Sequence, residues 1–217
     1  MTTYCSSTVK CAVCGKSSEH PEIMSTNEFG APDLDLRPAP MKRDTMNTWV
    51  KECPHCGYVG SDLSAECKLS TEKMTELYNE VEVMHEWPSK PGISARKFAK
   101  LGNILATTGK HQDAAWQFLC AAWAFDDLGD QVKASIWRTR AIDQIDICLD
   151  KGFAENLFCM RVDMLRRTGK MKEVLEIVPP GGLLSKNALA VIEYQKSLAA
   201  TNSTGTKTLK DVPWPAS

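Results

Sequence analysis

From about Thr71 onward apolar residues recur at the three-to-four spacing of helix faces. Gly92, Gly109, Gly129, Gly152 and Gly169 fall where such helices would end, leaving segments mostly about 15 to 20 residues long. Segments of that length predict helices paired in antiparallel hairpins. Phe98, Leu101 and Leu105 form one face of a first helix; Ala114, Phe118 and Ala121 form the face of a second, where small residues allow close approach. A long amphipathic helix from about Asp130 to Asp150 follows, with Ala134, Trp137, Ala141, Ile145 and Cys148 along its seam. Thr108-Gly109-Lys110 then recurs as Thr168-Gly169-Lys170. In the recurrence Phe158 and Leu165 repeat the places of Phe98 and Leu105, while Val174 and Val178 stand where Ala114 and Phe118 did. Pro179-Pro180-Gly181-Gly182 ends this region, and one more helix is expected over Leu183 to Ala200. From Thr201 the chain is polar and aperiodic, which predicts a disordered tail.

Before Thr71 the pattern is different. Residues 1–67 hold too few large apolar side chains for an independent core, and domains of that size usually need a metal or disulfides. Ile23 to Thr26 and Thr48 to Lys51 are expected as short strands, Ser6 to Thr8 and Ser17 to Glu19 as loop, and Pro32, Pro38 and Pro40 break the middle into loop. The chemistry comes from two matching pairs, Cys11-Ala12-Val13-Cys14-Gly15 and Cys53-Pro54-His55-Cys56-Gly57. Two residues between cysteines let a tight turn aim both thiolates at one point, and two such turns complete a tetrahedron around zinc, with iron as the rival metal. The glycine after each pair supplies a positive φ, and Pro54 fixes the start of its turn. Four thiolates leave no open position, so one structural Zn²⁺ is expected on Cys11, Cys14, Cys53 and Cys56. Cys5, His20, His55 and Cys67 lie near enough in sequence to be weighed as ligands and are expected outside the site. Cys120, Cys148 and Cys159 sit in apolar helical stretches and are expected as core filling.

Charge narrows the function. Lys and Arg total 26 against 27 Asp and Glu, and residues 1–67 carry six basic side chains against nine acidic ones. A phosphate-binding surface needs a basic stripe, so nucleic acid is the disfavoured alternative partner, with Lys42-Arg43 the one local patch. Met1 to Lys10 contain no apolar core of signal-peptide length, and no run approaches the roughly 18 apolar residues of a membrane span, so a cytoplasmic location is expected. No phosphate loop, dinucleotide fingerprint, HExxH or GxSxG is present, which predicts a non-enzymatic protein. The remaining catalytic option is the loop Asn27 to Pro38. There Asp33 and Asp35 alternate with Leu34 and Leu36, so an extended backbone would put both carboxylates on one face. Alternatively the leucines anchor the loop on the helices while the aspartates face water or pair with Arg37.

Two resemblances add to this. The order of Cys11 to Gly15, Arg43-Asp44-Thr45, Trp49-Val50 and Cys53-Pro54-His55-Cys56-Gly57-Tyr58 resembles the bacterial domain-of-unknown-function family numbered 2225. The likeness covers roughly the first 60 residues, and the family's further cysteine is absent from Met46 to Thr48. It implies a zinc ribbon joined to TPR-like helices and no assigned activity. Phe98, Leu101, Gly102, Leu105, Ala114, Phe118 and Ala121 resemble a tetratricopeptide repeat. By that resemblance the opposite face of the first helix would line a peptide groove, with Arg96, Lys100, Asn103 and also Arg161 as partner-binding residues. The expected fold is therefore mainly α: a small N-terminal β zinc ribbon (1–67), an irregular TPR-like array of antiparallel helices (68–200) and a disordered tail (201–217). The expected function is an interaction or scaffold protein that binds a protein or peptide, with self-association as a further way to cap a short array.

Overall fold

A computed structural model describes residues 1–84, 86–87, 95–178 and 182–215. Gly92 and the Pro179-Pro180-Gly181 stop lie outside the described residues. The chain begins with an antiparallel hairpin of β1 (Thr3–Lys10) and β2 (Ser17–Ser25), whose register pairs Lys10 with Ser17 and Ser7 with His20. A 3-10 turn over Arg43–Thr48 precedes two short paired strands, β3 (Lys51–Glu52) and β4 (Val59–Gly60). Seven helices follow among the described residues: α1 (Thr71–Glu82), α2 (Ala95–Thr107), α3 (His111–Asp126), α4 (Gln131–Lys151), α5 (Glu155–Arg167), α6 (Met171–Glu176) and α7 (Lys186–Ala200). The mainly helical class with a small β N-terminus is as the periodicity predicts. None of these helices is long and apolar enough to cross a membrane.

The glycine stops work by backbone handedness. Gly109, Gly129 and Gly169 all have φ between 74° and 81°, the left-handed region that closes a helix without a Cβ penalty. Each closure is the same double bond: Lys110 N reaches Leu105 O and Gly109 N reaches Ala106 O, with equivalents at Gly129 and Gly169. The repeated Thr-Gly-Lys phrase is structurally equivalent as well. Thr108 Oγ1 bonds back to the Ile104 and Leu105 carbonyls, and Thr168 Oγ1 to those of Met164 and Leu165. Gly102 serves a different purpose, since a Cβ there would overlap the Phe118 ring where α2 crosses α3.

The second hairpin departs from the first. Val174 is buried like Ala114, but Val178 is 82 % exposed where Phe118 is buried, because α6 stops at Glu176. Pro179 disfavours helical backbone at the residue before it, and the proline pair cannot continue the ladder. α7 packs against α5 and α6 instead. At the other end, one apolar core runs from Cys11, Met46, Val50, Cys53, Val59 and Leu63 into α1 and α2 and on through Trp123, Trp137, Ile145 and Leu165. Trp137 stacks on Phe118 with centroids 5.7 Å apart. Trp116 meets Trp123 edge-on at 5.2 Å, so this pair packs the core.

Two expectations about loops are corrected. Ser6 to Thr8 and Ser17 to Glu19 are paired strands, because Thr3-Tyr4 and Val9 are good strand formers and the knuckle between the two runs makes them a hairpin. The tail is ordered to residue 215. Leu34 N donates to Lys207 O and Leu209 N to Pro32 O, and Val212 is buried against Leu34 and Val191. Arg166, fully buried, donates to the carbonyls of Ser203 and Gly205 at 2.7 and 2.9 Å. The tail's own composition lacks a core; a neighbouring loop and a buried guanidinium give it one.

The Asn27 to Pro38 loop is likewise not extended. Leu36 has φ 65°, and a turn joins Leu36 N to Asp33 O at 2.9 Å, so the two aspartates diverge. Asp35 is completely buried beneath α3, α4 and α5, where Oδ2 accepts from Trp123 Nε1 at 2.8 Å and Arg167 Nη1 at 3.4 Å, with Arg138 Nη2 3.8 Å away. Asp126 closes the cluster by pairing with both Arg138 and Arg167. Burial acts to lower the Arg138 guanidinium, but the bond to Asp126 and the charges of Asp126, Asp35 and Asp163 raise it further above its ordinary value. Asp33, itself buried, pairs with Arg43 at 2.9 Å instead, and Arg37 pairs with Asp127 through two bonds of 2.8 and 2.6 Å.

Removing one member of a buried ion cluster strands the others, at a cost of about 3–5 kcal/mol. Asp35→Ala is therefore expected to lower the free energy of urea unfolding by about 3 kcal/mol or more, and Asp35→Asn by less, since it can still accept from Trp123. Ending the chain after Ala200 is expected to cost about 3 kcal/mol, from exposed Leu34 and Val191 and the lost acceptors of Arg166. Chemical denaturation of the three variants beside the parent chain measures both.

Candidate metal centre

The two cysteine pairs occupy equivalent turns. In the first, at the tip of the β1–β2 hairpin, Cys11 N donates to Lys16 O and Gly15 N to Cys11 O, both at 2.9 Å. In the second, between β3 and β4, Cys53 N donates to Tyr58 O at 2.8 Å and Gly57 N to Cys53 O at 2.9 Å. Gly15 and Gly57 have φ of 71° and 73°, and a Cβ at either would meet nothing within 4 Å. The backbone angle, not space, calls for glycine there. Ala12 N donates to Leu63 O at 2.8 Å, fastening the first turn to the chain beyond the second.

All four sulfurs lie within 4.8 Å of one another. Cys11 Sγ and Cys56 Sγ are 3.7 Å apart, as are those of Cys14 and Cys53. A tetrahedron with metal–sulfur bonds of about 2.3 Å has edges of about 3.8 Å, so these two opposite edges have the required length. The donor set fits a metal ion, and its four sulfurs fill a tetrahedral shell. Cys11 and Cys53 are buried, Cys14 is half-buried and Cys56 exposed, which places the site at the edge of the core.

Without a cation the four thiols hold their protons unequally. Burial pushes the Cys53 thiol up, but main-chain N–H groups of His55 and Cys56 and the neighbouring thiols outweigh it and bring Cys53 down to about 7. Burial and the other three sulfurs push Cys56 up to about 12. A metal must displace the protons that remain, so its uptake is acid-sensitive.

Among the described residues, the other sulfur and imidazole groups stay away from this centre. Cys5 is exposed on β1, and Cys67 faces Met74 Sδ at 3.4 Å. His20 is buried and bonded to Ser18 Oγ at 2.8 Å, and His55 Nε2 lies 3.3 Å from Ser17 O. Burial raises the thiols of Cys120, Cys148 and Cys159, the last to about 11, which keeps them protonated and inert.

Of the four residues expected to line a peptide groove, three have their polar groups engaged within the fold. α1 lies over the polar face of α2, so Lys100 is buried, with Nζ 2.8 Å from Glu82 and 3.7 Å from Glu52. Asn103 is buried too, donating to Leu77 O at 3.4 Å and accepting from Arg140 at 3.1 Å. Arg161 is tied to Asp146 across α5 and α4. Arg96 alone keeps an exposed guanidinium, 3.4 Å from Glu52 and 3.6 Å from Glu82. The resemblance to a repeat groove misses this because it treats α2 as the first helix, whereas α1 precedes and covers it. Asp33 and Asp35, the other candidate pair, are separated into two ion clusters as described above. Arg138 and Arg167, which hold Asp35, were legible only as polar breaks in otherwise apolar helix faces.

The purified chain is expected to carry one equivalent of tightly held metal by elemental analysis, and Cys53→Ser to lose it together with the ordered N-terminal amides. Metal release is expected to begin on acidification as thiolates recapture protons, and affinity to rise with pH up to the range where the last thiol ionises; a chelator titration at several pH values measures this.

No family model, no curated protein and no solved structure matches this chain.

Proposed function

We propose that this is a non-enzymatic interaction or scaffold protein in which a structural Zn²⁺, held by Cys11, Cys14, Cys53 and Cys56, fixes a ribbon against a helical body that binds a protein or peptide. The observation that carries this reading is the closed sulfur shell: four thiolates leave a tetrahedral ion no position for water or substrate, the arrangement of structural rather than catalytic zinc. Zn²⁺ suits the site because it is a d¹⁰ ion without redox chemistry or a d-electron geometry of its own, and it takes four thiolates in a tetrahedron. A second support is the use of the acidic groups. Asp35, Asp126 and Asp163 are held by Arg138, Arg166 and Arg167 inside the fold, and Asp33 by Arg43. In those roles they act as structural anchors.

Lys100, Asn103 and Arg161 leave the list of contact residues, since their polar atoms are engaged internally. Arg96 stays. The proposal is tested by proximity crosslinking and affinity capture with the metal-loaded chain. A protein retained by the parent, released when the metal is chelated and weakened by Arg96→Glu supports it, provided the variant keeps its metal and melting temperature. Turnover of a substrate lost on Asp33→Asn, with the fold intact, would contradict it.

A further inference from the structure

Between the ribbon and the first turn of α2 lies an open cavity of about 430 Å³, on the scale of small-ligand sites. Its lining includes His20 of β2, Thr48, Lys51 of β3, Trp87, and Arg96 and Lys97 of α2. Among the described residues of the lining, Glu52 is the one carboxylate, against the three cations Lys51, Arg96 and Lys97.

Those cations are not equally committed. Lys51 pairs with Glu22. Arg96, half exposed, shares Glu52 and Glu82 at 3.4 and 3.6 Å, long enough to let its fork turn to another acceptor. Lys97 is different. Its Nζ donates to the Asn47 carbonyl at 3.4 Å, and no carboxylate among the described residues lies within ion-pair distance of it. The sequence over 88–94 contains no acid either. Burial, and then Arg96 against the pull of Glu52, holds the Lys97 ammonium below the ordinary lysine range. His20 is held below its own ordinary value by burial and by the charges of Lys51 and Lys97. Burial is the first cause of both shifts, and Lys97 is the cation of the lining left without an ion pair among the described residues.

We propose that this cavity binds a phosphate monoester carried on a small planar body. The phosphate group offers three oxygens, enough to take Lys97 Nζ and both arms of the Arg96 fork at once with Lys51 beside them, whereas a single carboxylate offers two. Pro21, Val50 and Trp87 supply the apolar wall for the body. The site goes beyond the interaction role proposed above and requires no protein partner.

Isothermal titration of the metal-loaded chain with phenyl phosphate, inorganic phosphate and benzoate tests it. Phenyl phosphate is expected to bind saturably, more tightly than either other probe, and less tightly as salt is added. Lys97→Gln is expected to weaken it about tenfold or more, the loss of one charge-assisted contact, and Arg96→Gln to weaken it as well. Lys172→Gln, at a side chain 86 % exposed on α6, is expected to change nothing. Unaltered metal content and melting temperature show that the variants are folded, and Arg96→Gln serves if Lys97→Gln is not. Absence of saturable phenyl phosphate binding, equal affinity for benzoate, or unchanged affinity in the folded variants would overturn the proposal.

Discussion

Four cysteine sulfurs converging within 4.8 Å form the constraint on which the N-terminal region depends. Held that close, thiolates repel one another, and without a cation between them the arrangement survives only by keeping protons. A divalent ion at their centre would convert the repulsion into four bonds. It would also join two turns that are about 40 residues apart in sequence, in a module with few apolar residues to align them by packing. Everything near the ribbon follows from that junction: the β1–β2 hairpin, the Ala12–Leu63 bond, and the seating of Val59 against Tyr78 at the start of the helical body.

A second junction is built from charge. The Asn27 to Pro38 loop sends Asp35 into the helices, where Trp123, Arg138 and Arg167 receive it, while Leu34 and the ordered tail close over α7. An apolar side chain at Asp35 would fill the same space, yet only a carboxylate neutralises the arginines and orders the loop around them. Such clusters cost desolvation and return specificity of placement. The segment between the two cysteine pairs is thereby held at its ends by the cysteine tetrad and at its middle by ion pairs.

Much of this was legible in the sequence, because local rules dominate where the chain is periodic. The helix stops at Gly109, Gly129 and Gly169 and the convergence of the four cysteines each follow from a short pattern with one physical cause. What escaped was long-range. Ser6 to Thr8 forms a strand only because the knuckle folds β2 back on it, and residues 201–215 are ordered only by Leu34 and Arg166, each more than 30 positions earlier. Lys100 and Asn103 looked like a groove because nothing in α2 itself shows that α1 covers that face. Asp35 looked catalytic or solvated for the same reason: its partners are about 90 to 130 residues away.

X-ray absorption at the zinc edge on the purified chain tests the central claim most directly. The closed tetrad predicts a shell of four sulfur atoms at about 2.3 Å and no light scatterer. A shell containing nitrogen or oxygen, or a chain without zinc whose four cysteines are paired as disulfides, would contradict it.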